Sequence, residues 1–271
     1  MMQYVASLSG GVASAVMADR AIERYGRKNT RLWIADTAWE DDDLWRFVDA
    51  CMARWGGRLY TYRDGRTPLQ VAEDKKIIPN HGHAPCSFEL KVKPFRAFLW
   101  RQPKPITVLL GLDWKELHRI EKQRHYHMHS SRPRPPQGYA RLIHGVYEDY
   151  PLLWKPLEFR PYQDVVRSWG IAPPRLYEAG FPHNNCGGRC VKQCMRELQR
   201  LKIAYPGRFA EVRDWEQAQR AKGGARANFA ILSDRAGGER KPIPLIDLEQ
   251  RTMPTDTEPS TDDMFACMCE Y

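Results

Sequence analysis

The chain has 271 residues and 42% of them are hydrophobic, which suits one large domain or one domain with a smaller appendage. No stretch approaches about eighteen consecutive apolar residues, so we expect no membrane-spanning helix. The first residues lack the basic region and long apolar run of a signal peptide, which predicts a cytoplasmic protein without a membrane partner.

The chain carries an excess of positive charge, because Lys and Arg total 42 against 33 Asp and Glu, a net charge of +9. Residues 254–271 contain five acidic side chains and no basic ones, so residues 1–253 carry +14. Such a surplus attracts phosphates at long range and predicts a nucleic acid or a nucleotide-bearing macromolecule as partner. General solubility of the surface is the alternative interpretation.

Apolar runs and helical periodicity alternate through the first half of the chain. The pattern predicts strands at 4–8, 31–36, 58–62 and 106–112, and helices at 12–25, 42–55 and 115–122. Strands that alternate with helices predict an α/β fold, a doubly wound parallel sheet covered on both faces.

The second half is expected to be α-helical, with short helices at 160–170 and 174–180 and longer ones at 191–205 and 209–222. We therefore divide the chain into a nucleotide-binding domain at 1–125, a basic loop and helical cysteine-bearing region at 126–251, and an acidic linker with a cysteine-containing tail at 252–271. The sequence predicts no oligomeric state.

The turn between the first strand and the first helix has the composition of a phosphate-binding loop. Gly10 and Gly11 leave backbone N–H groups free to face an anion, and the helix that follows adds its positive N-terminal end. Ser9 and Ser14 supply hydroxyl donors. The loop lacks the Gly-x-x-x-x-Gly-Lys-Ser/Thr pattern of a Walker A motif.

These residues resemble the Ser-Gly-Gly-x-x-Ser signature of the PP-loop ATP pyrophosphatase superfamily, and further segments in chain order resemble its branch of PAPS-reductase-like proteins. The matching residues are Asp36 and Thr37 after the second strand, Cys86 to Lys91 after the third, and Gly111, Glu116 and Arg119 after the fourth. All follow the carboxyl ends of strands, where ligands bind in open α/β sheets.

The resemblance implies a PP-loop fold of the adenine nucleotide alpha hydrolase-like type that binds ATP or PAPS with Mg²⁺. It implies that the loop residues and Gly111 hold the nucleotide phosphates, and that Asp36 and Thr37 lie near the nucleoside or the metal. Lys91 and Arg119 are then expected to neutralise phosphate charge, with Glu116 orienting Arg119 or Mg²⁺. From it we expect AMP-forming activation of a substrate, with pyrophosphate release, for sulfur transfer to a nucleic acid or nucleotide. A PAPS-reductase-like reductase or sulfotransfer enzyme is one alternative, and a nucleotide- or nucleic-acid-binding protein without turnover is another.

Residues 179–190, Ala-Gly-Phe-Pro-His-Asn-Asn-Cys-Gly-Gly-Arg-Cys, resemble a segment of phage-encoded and bacterial PAPS-reductase-like proteins of unassigned substrate. The chain departs from the PAPS reductases themselves at its end, where Cys-Met-Cys-Glu-Tyr stands in place of their catalytic Glu-Cys-Gly sequence. The resemblance therefore does not imply simple PAPS reduction.

Six cysteines fall outside the periodic segments of this chain, and three interpretations of them remain open. The first is a [4Fe-4S] cluster or Zn²⁺ held by Cys86, Cys186, Cys190 and a tail cysteine, Cys267, because glycines between turn-borne thiols let the backbone wrap a metal. The second is a set of redox thiols that carry or release sulfur. The third is buried structural cysteines.

Overall fold

The structure, a computed structural model, describes residues 3–121, 146–154, 160–234 and 241–250. Its centre is a five-stranded parallel sheet in the order β3-β2-β1-β4-β5. The strands are β1 Gln3–Leu8, β2 Thr30–Asp36, β3 Leu59–Arg63, β4 Ile106–Leu109 and β5 Val146–Asp149. Parallel neighbours require crossover connections, and helices supply them here.

Helices separate the first four strands and then fill the C-terminal part of the chain. Before β4 they are α1 Val12–Tyr25, α2 Asp42–Trp55, α3 Pro68–Asp74, a π-helix Ser87–Val92 and α4 Lys93–Trp100. After β5 they are α5 Tyr162–Ser168, α6 Arg175–Glu178, α7 Met195–Ala204, α8 Pro206–Ala221 and α9 Leu245–Gln250. Short 3₁₀ turns lie at Trp114–Glu116, Pro151–Leu153, Cys186–Gly188 and Gly224–Asn228, and an antiparallel pair is formed by β6 Leu232–Asp234 and β7 Lys241–Ile243. Among the described helices, none is long and apolar enough to cross a membrane.

Both faces of the sheet are buried, as the alternation along β1 illustrates. Ala6 and Leu8 pack into a core cluster with α1 and α2, whereas Val5 points to the opposite face and packs with Phe95 and Leu99 of α4. Successive side chains of a strand face opposite sides, so a strand covered on both sides is apolar throughout. The predicted doubly wound α/β fold is thereby confirmed.

A third core cluster joins the α-helical C-terminal portion to the loops at one edge of the sheet. Trp39 and Leu69 from the first half pack with Phe181, Leu198 and Phe209 from the second. The C-terminal portion therefore lies against the loop that follows β2, at the end of the sheet where the site residues were expected.

The sheet differs from the sequence expectation in two elements. The predicted fourth strand ends at Leu109, three residues early, and β5 was not predicted. Residues Val146–Asp149 are polar and only partly buried because β5 is an edge strand, so they lack the apolar run of a central strand. Although β5 belongs to the segment 126–251, it completes the sheet of residues 3–109, and the proposed division into segments stays a prediction.

Candidate nucleotide loop and cysteine cavity

The glycine loop lies at the point where the strand order reverses. The chain proceeds from β1 through β2 to β3 on one side of β1 and returns with β4 on the other side. Ligands in open α/β sheets bind at this switch point, beyond the carboxyl ends of the strands. Gly111, just after β4, approaches so closely that a Cβ there would lie 3.2 Å from Ser14 Cα, so the loops after β1 and β4 meet.

Gly10 requires the absence of a side chain for two reasons. Its φ is +76°, and a Cβ would lie 2.5 Å from Leu44 Cδ1 on α2. The backbone N–H groups of Gly10, Gly11 and Ala13 make no hydrogen bond within the part of the chain that the structure describes. Buried N–H groups are rarely left without acceptors, so this turn is suited to an anion.

The two loop serines contact each other. Ser14 Oγ accepts hydrogen bonds from Ser9 N at 3.1 Å and Ser9 Oγ at 3.2 Å, and donates to Gly11 O at 2.8 Å. The Ser14 proton is thus used inside the loop, on the Gly11 carbonyl. Direct donation from Ser9 and Ser14 to a phosphate stays a prediction.

The carboxyl end of β2 connects the sheet to the C-terminal portion. Asp36 Oδ1 accepts the Ala38 N–H at 2.8 Å, and Asp36 Oδ2 lies 3.4 Å from Arg63 Nε. Thr37, only 1% exposed, donates through Oγ1 to Glu40 Oε1 at 2.9 Å. Glu40 Oε2 in turn accepts the Cys186 N–H at 2.6 Å, so a carboxylate fixes the cysteine turn to the edge of the sheet.

Cys86, Cys186 and Cys190 line one small cavity, together with Lys91 and Lys192. Both lysines are nearly buried, at 7% and 8% exposure, and Thr37 lines the same cavity. Lys91 lies in the π-helix Ser87–Val92, and Cys86 immediately precedes it. The π-helix is a rare form that occurs frequently at functional sites. The cavity thus brings three thiols and two lysines to one place, with Cys186 and Cys190 buried.

The Cys186 turn is an unusual backbone conformation. Cys186, Gly187 and Gly188 have successive φ values of +51°, +59° and +79°. A non-glycine residue at positive φ costs about 1–3 kcal/mol and persists only where its surroundings impose it. Here the Glu40 carboxylate on the Cys186 N–H, and the Arg208 Nη1 donor on Gly187 O at 2.8 Å, hold the turn.

The expected metal site receives no support from this geometry. Among the described residues, no three His, Cys, Asp or Glu side chains are grouped so that they could hold a metal ion. Cys86, Cys186 and Cys190 share the cavity without forming such a group, and Cys267 lies outside the described residues. The described residues therefore give a cluster or Zn²⁺ no support, and the four-cysteine site, which includes Cys267, stays a prediction.

Glu116 and Arg119 form an ion pair beyond β4, as expected for a carboxylate that orients a guanidinium. Their side chains are 29% and 15% exposed. Asp113, which caps the 3₁₀ turn Trp114–Glu116, accepts a hydrogen bond from Tyr162 Oη at 3.2 Å. The pair is thus anchored to the C-terminal portion, and its contact with phosphate stays a prediction.

Three residues near these sites were not predicted from the sequence. Tyr177 Oη accepts the Val12 N–H at 3.2 Å, Asn184 Nδ2 donates to Gly10 O at 3.0 Å, and Lys192 lines the cysteine cavity. Asn184 falls in the segment 179–190 that carries a family resemblance, which was the available signal. Tyr177 gave none, because its hydroxyl reaches the loop only through tertiary packing.

A larger cavity of about 650 Å³ runs along the edge strand β3 and α4. None of the sequence-predicted site residues lines it. Its wall combines aromatic side chains with four basic and two acidic ones, which are Trp33, Tyr60, Tyr62, Phe98, Arg58, Arg66, Lys93, Arg101, Asp64 and Glu89. Arg58 lies over the Tyr60 ring at 4.8 Å, whereas Arg66 and Lys93 are paired with nearby carboxylates.

Of the comparisons with known proteins, the one with solved structures finds matches. No protein-family model matches the chain, and no curated protein matches it. Among solved structures, the chain matches a phosphoadenylyl-sulfate (PAPS) reductase from Candida auris, in its phosphate complex, at 17% identity and a TM-score of 0.42. The match covers 66% of this chain and 78% of that chain. At these values it assigns neither an activity nor a ligand.

Proposed function

We propose that this chain is a PP-loop enzyme that binds ATP at residues 9–14 and activates a substrate by adenylation with pyrophosphate release. The observation that carries the proposal is the set of backbone N–H groups at Gly10, Gly11 and Ala13 that have no acceptor among the described residues. They lie between β1 and α1 at the switch point of the sheet, where a polyphosphate is stabilised by N–H donors and the helix N-terminus.

The proposed reaction is an in-line displacement at the α-phosphorus. A substrate oxygen forms a bond to the α-phosphorus while the bond to the pyrophosphate oxygen breaks, and pyrophosphate leaves with the bonding electrons. The loop N–H groups stabilise the departing charge, and Lys91 and Arg119 add cationic charge. A sulfur nucleophile then displaces AMP from the activated carbon.

ATP fits the residues present better than a protein-held metal does. A Cβ at Gly10 or Gly11 would meet neighbours at 2.5 or 2.9 Å, so both positions keep the loop open. Mg²⁺ commonly binds one or two carboxylates together with substrate phosphates and supplies further charge neutralisation. Asp36 Oδ1 accepts the Ala38 N–H and Oδ2 lies 3.4 Å from Arg63 Nε, and each oxygen keeps a further lone pair with which Asp36 would bind Mg²⁺.

The cysteine cavity supports sulfur chemistry as the second half of the reaction. Cys86, Cys186 and Cys190 lie with Lys91 beside Thr37, at the same edge of the sheet as the loop. The same cavity favours the alternative of a reductase or sulfotransfer enzyme acting on a PAPS-like nucleotide, because lysines beside thiols also suit a sulfur-bearing anion.

A nucleic acid is the acceptor that the chain's charge and surface favour. The cavity along β3 presents Tyr60, Tyr62 and Phe98 beside Arg58 and Arg101. Aromatic rings that stack with bases, beside guanidinium groups that meet phosphates, are characteristic of single-strand binding. The π-helix separates the cavity along β3, which Glu89 lines, from the cysteine cavity, which Lys91 lines.

Incubation of the purified chain with ATP, Mg²⁺, sulfide as the sulfur donor and total cellular RNA tests the proposal. We expect AMP and pyrophosphate in equal amounts, with neither ADP nor free phosphate. Release of adenosine 3′,5′-bisphosphate from PAPS, without pyrophosphate from ATP, would instead support the reductase or sulfotransfer alternative. Nucleotide binding without any product would identify a binding protein.

Removing cationic charge near the phosphates should slow turnover more than it weakens binding. For Lys91→Ala and Arg119→Ala we expect AMP formation to fall about 100-fold and ATP affinity to fall less than about fivefold, because charge shifts most in the transition state. Steady-state kinetics and calorimetry measure the two effects. Lys115→Ala, an exposed neighbour on the 3₁₀ turn, is the control. Equal losses of turnover and affinity would contradict a transition-state role.

The cavity thiols should be needed for turnover but not for nucleotide binding. We expect Cys186→Ser and Cys190→Ser to retain ATP affinity within about twofold and to lose sulfur transfer, because serine cannot supply a thiolate. Cys51→Ser is the control, since Cys51 is buried in α2 and burial raises its thiol pKa to about 12. Stoichiometric iron or zinc in anaerobically purified protein, lost in both cavity variants, would assign these cysteines to a metal instead.

A further inference from the structure

Two side chains from the C-terminal portion reach the nucleotide loop from more than 160 positions away in the sequence. Tyr177 Oη accepts the N–H of Val12, the first residue of α1, at 3.2 Å. Asn184 Nδ2 donates to the carbonyl of Gly10 at 3.0 Å. Both contact the same short turn, one at its amide side and one at its carbonyl side.

The Asn184 carboxamide has a fixed orientation. The Gly10 carbonyl can only accept, so the NH₂ group of Asn184 must face it and Oδ1 must face away. Asn184 is 2% exposed, and its Oδ1 is buried without a hydrogen-bond partner among the described residues. A buried acceptor left without a donor is costly, so a donor that a ligand brought to Asn184 Oδ1 would remove this cost.

Among the described residues, the Tyr177 hydroxyl lacks an acceptor for its proton, whereas Asn184 Oδ1 lacks a donor. The Tyr177 hydroxyl accepts the Val12 N–H, and its own proton has no acceptor among the described residues. Burial raises the pKa of Tyr177 to about 12, so the hydroxyl stays protonated at neutral pH and remains a donor. A phosphate oxygen in the loop is an acceptor of the matching kind.

We propose that Tyr177 and Asn184 are nucleotide-binding residues that complete the loop. The Tyr177 hydroxyl donates to a phosphate oxygen, and Asn184 Oδ1 accepts from an O–H or N–H group of the nucleoside. The proposal rests on the function proposed above, since it requires a nucleotide at residues 9–14. It makes the C-terminal portion part of the binding site and not only its support.

Two probes separate the two contacts, because inorganic pyrophosphate contains phosphate but no nucleoside. For Tyr177→Phe, we expect the affinities for ATP and for pyrophosphate both to fall about tenfold, since each loses a hydrogen bond to a charged group. For Asn184→Ala, we expect ATP affinity to fall about tenfold and pyrophosphate affinity to change less than about twofold. Titration calorimetry at constant ionic strength measures all four values.

Matched controls and the parent chain make the outcomes distinct. Tyr147→Phe on the exposed part of β5 and Asn185→Ala beside Asn184 should leave both affinities unchanged. Unchanged or increased affinities in Tyr177→Phe would overturn the donor role, because the hydroxyl would then compete with phosphate for the Val12 N–H. Equal losses for both probes in Asn184→Ala would overturn the nucleoside contact and leave only support of Gly10. A parent chain that binds neither probe would overturn the proposed function itself.

2′-Deoxy- and 3′-deoxy-ATP, with inosine triphosphate, then identify the nucleoside donor. If a ribose hydroxyl is the donor, one deoxy analogue should lose affinity for the parent chain but not for Asn184→Ala. If the donor is the base amino group, inosine triphosphate should lose affinity for the parent chain but not for Asn184→Ala. An Asn184→Ala loss that persists with every analogue would contradict a contact between Oδ1 and the nucleoside.

Discussion

Replacing Gly11 by valine is expected to lower ATP affinity at least about 100-fold, or about 2.7 kcal/mol, while the chain remains folded. A Cβ at this position would lie 2.9 Å from Tyr177 Oη and 3.6 Å from Ser9 Oγ. The added methyl groups would therefore displace Tyr177 from the Val12 N–H and fill the loop. The Gly11 φ of −98° is accessible to valine, so the backbone itself is not strained.

Calorimetry with ATP and pyrophosphate measures the loss, and circular dichroism with thermal unfolding checks the fold. Gly207→Val is the matched control, because it lies in the first turn of α8 and a Cβ there meets nothing within 4 Å. Unchanged ATP affinity in a folded Gly11→Val chain would show that residues 9–14 are not the nucleotide site. Equal losses in the control would indicate a general effect on stability.

The fold was predictable where burial imposes a pattern on the sequence. β1, β2 and β4 lie between covered faces, so their apolar residues identify them, whereas the exposed edge strand β3 was identified by the alternation of its side chains. The edge strand Val146–Asp149 and the short β6-β7 pair carry no such pattern, because their side chains are largely exposed or their length is only three or four residues. Tertiary pairing, and not local sequence, defines these elements.

The glycine loop was predictable because its chemistry is local. Gly10 and the helix start follow one another in the chain, so a single segment contains the turn and its donors. Tyr177 and Asn184 reach that segment only through the packing of α6 and the turn after it against the edge of the sheet. No periodicity or spacing in the sequence encodes such a contact.

The cysteines illustrate what can be predicted from the spacing of residues in the sequence. Regular intervals and glycines suggested that Cys186 and Cys190 wrap a metal, with Cys86 as a further ligand. The structure lines one cavity with all three, yet the described residues contain no metal-holding group. Gly187 and Gly188 continue a turn that begins with the positive φ of Cys186, whose N–H donates to Glu40. The metal site, which includes Cys267 outside the described residues, stays a prediction.

The C-terminal portion is held against the loop region by two ion pairs of the buried carboxylate Asp41. This residue, 1% exposed, caps α2 by accepting the Asp43 N–H at 2.9 Å. Its Oδ1 also lies 2.8 Å from Arg175 Nη2, and its Oδ2 2.6 Å from Arg208 Nη1. Arg175 begins the helix that carries Tyr177, and Arg208 also donates to the Cys186 turn at Gly187 O. One carboxylate thus connects the nucleotide loop and the cysteine cavity.

Asp41→Asn is expected to lower the free energy of unfolding at pH 7 by about 3 kcal/mol, because it leaves two guanidinium groups without their counter-ion. We choose the lower end of the usual range because Arg175 is about half exposed, so water screens part of its charge. For a chain of this size the loss corresponds to a fall of about 6–12 °C in Tm. Urea denaturation measures the free energy, and exposed Asp42→Asn is the control.

The pH dependence of this loss follows from the lowered pKa of Asp41. Burial alone would raise that pKa, but hydrogen bonds from Arg208, the Asp43 N–H and Arg175 outweigh burial and hold it below its ordinary value of 3.8. A depressed carboxyl pKa contributes stability that is complete above the ordinary value and is lost as the pH falls through the folded-state pKa. The difference between parent and Asp41→Asn should therefore be constant from pH 7 to about pH 5 and shrink below about pH 4. A difference in the free energy of unfolding that grows on acidification would contradict the ion pairs. A loss of ATP affinity in Asp41→Asn at pH 7 would show that Asp41 also holds Tyr177 in place.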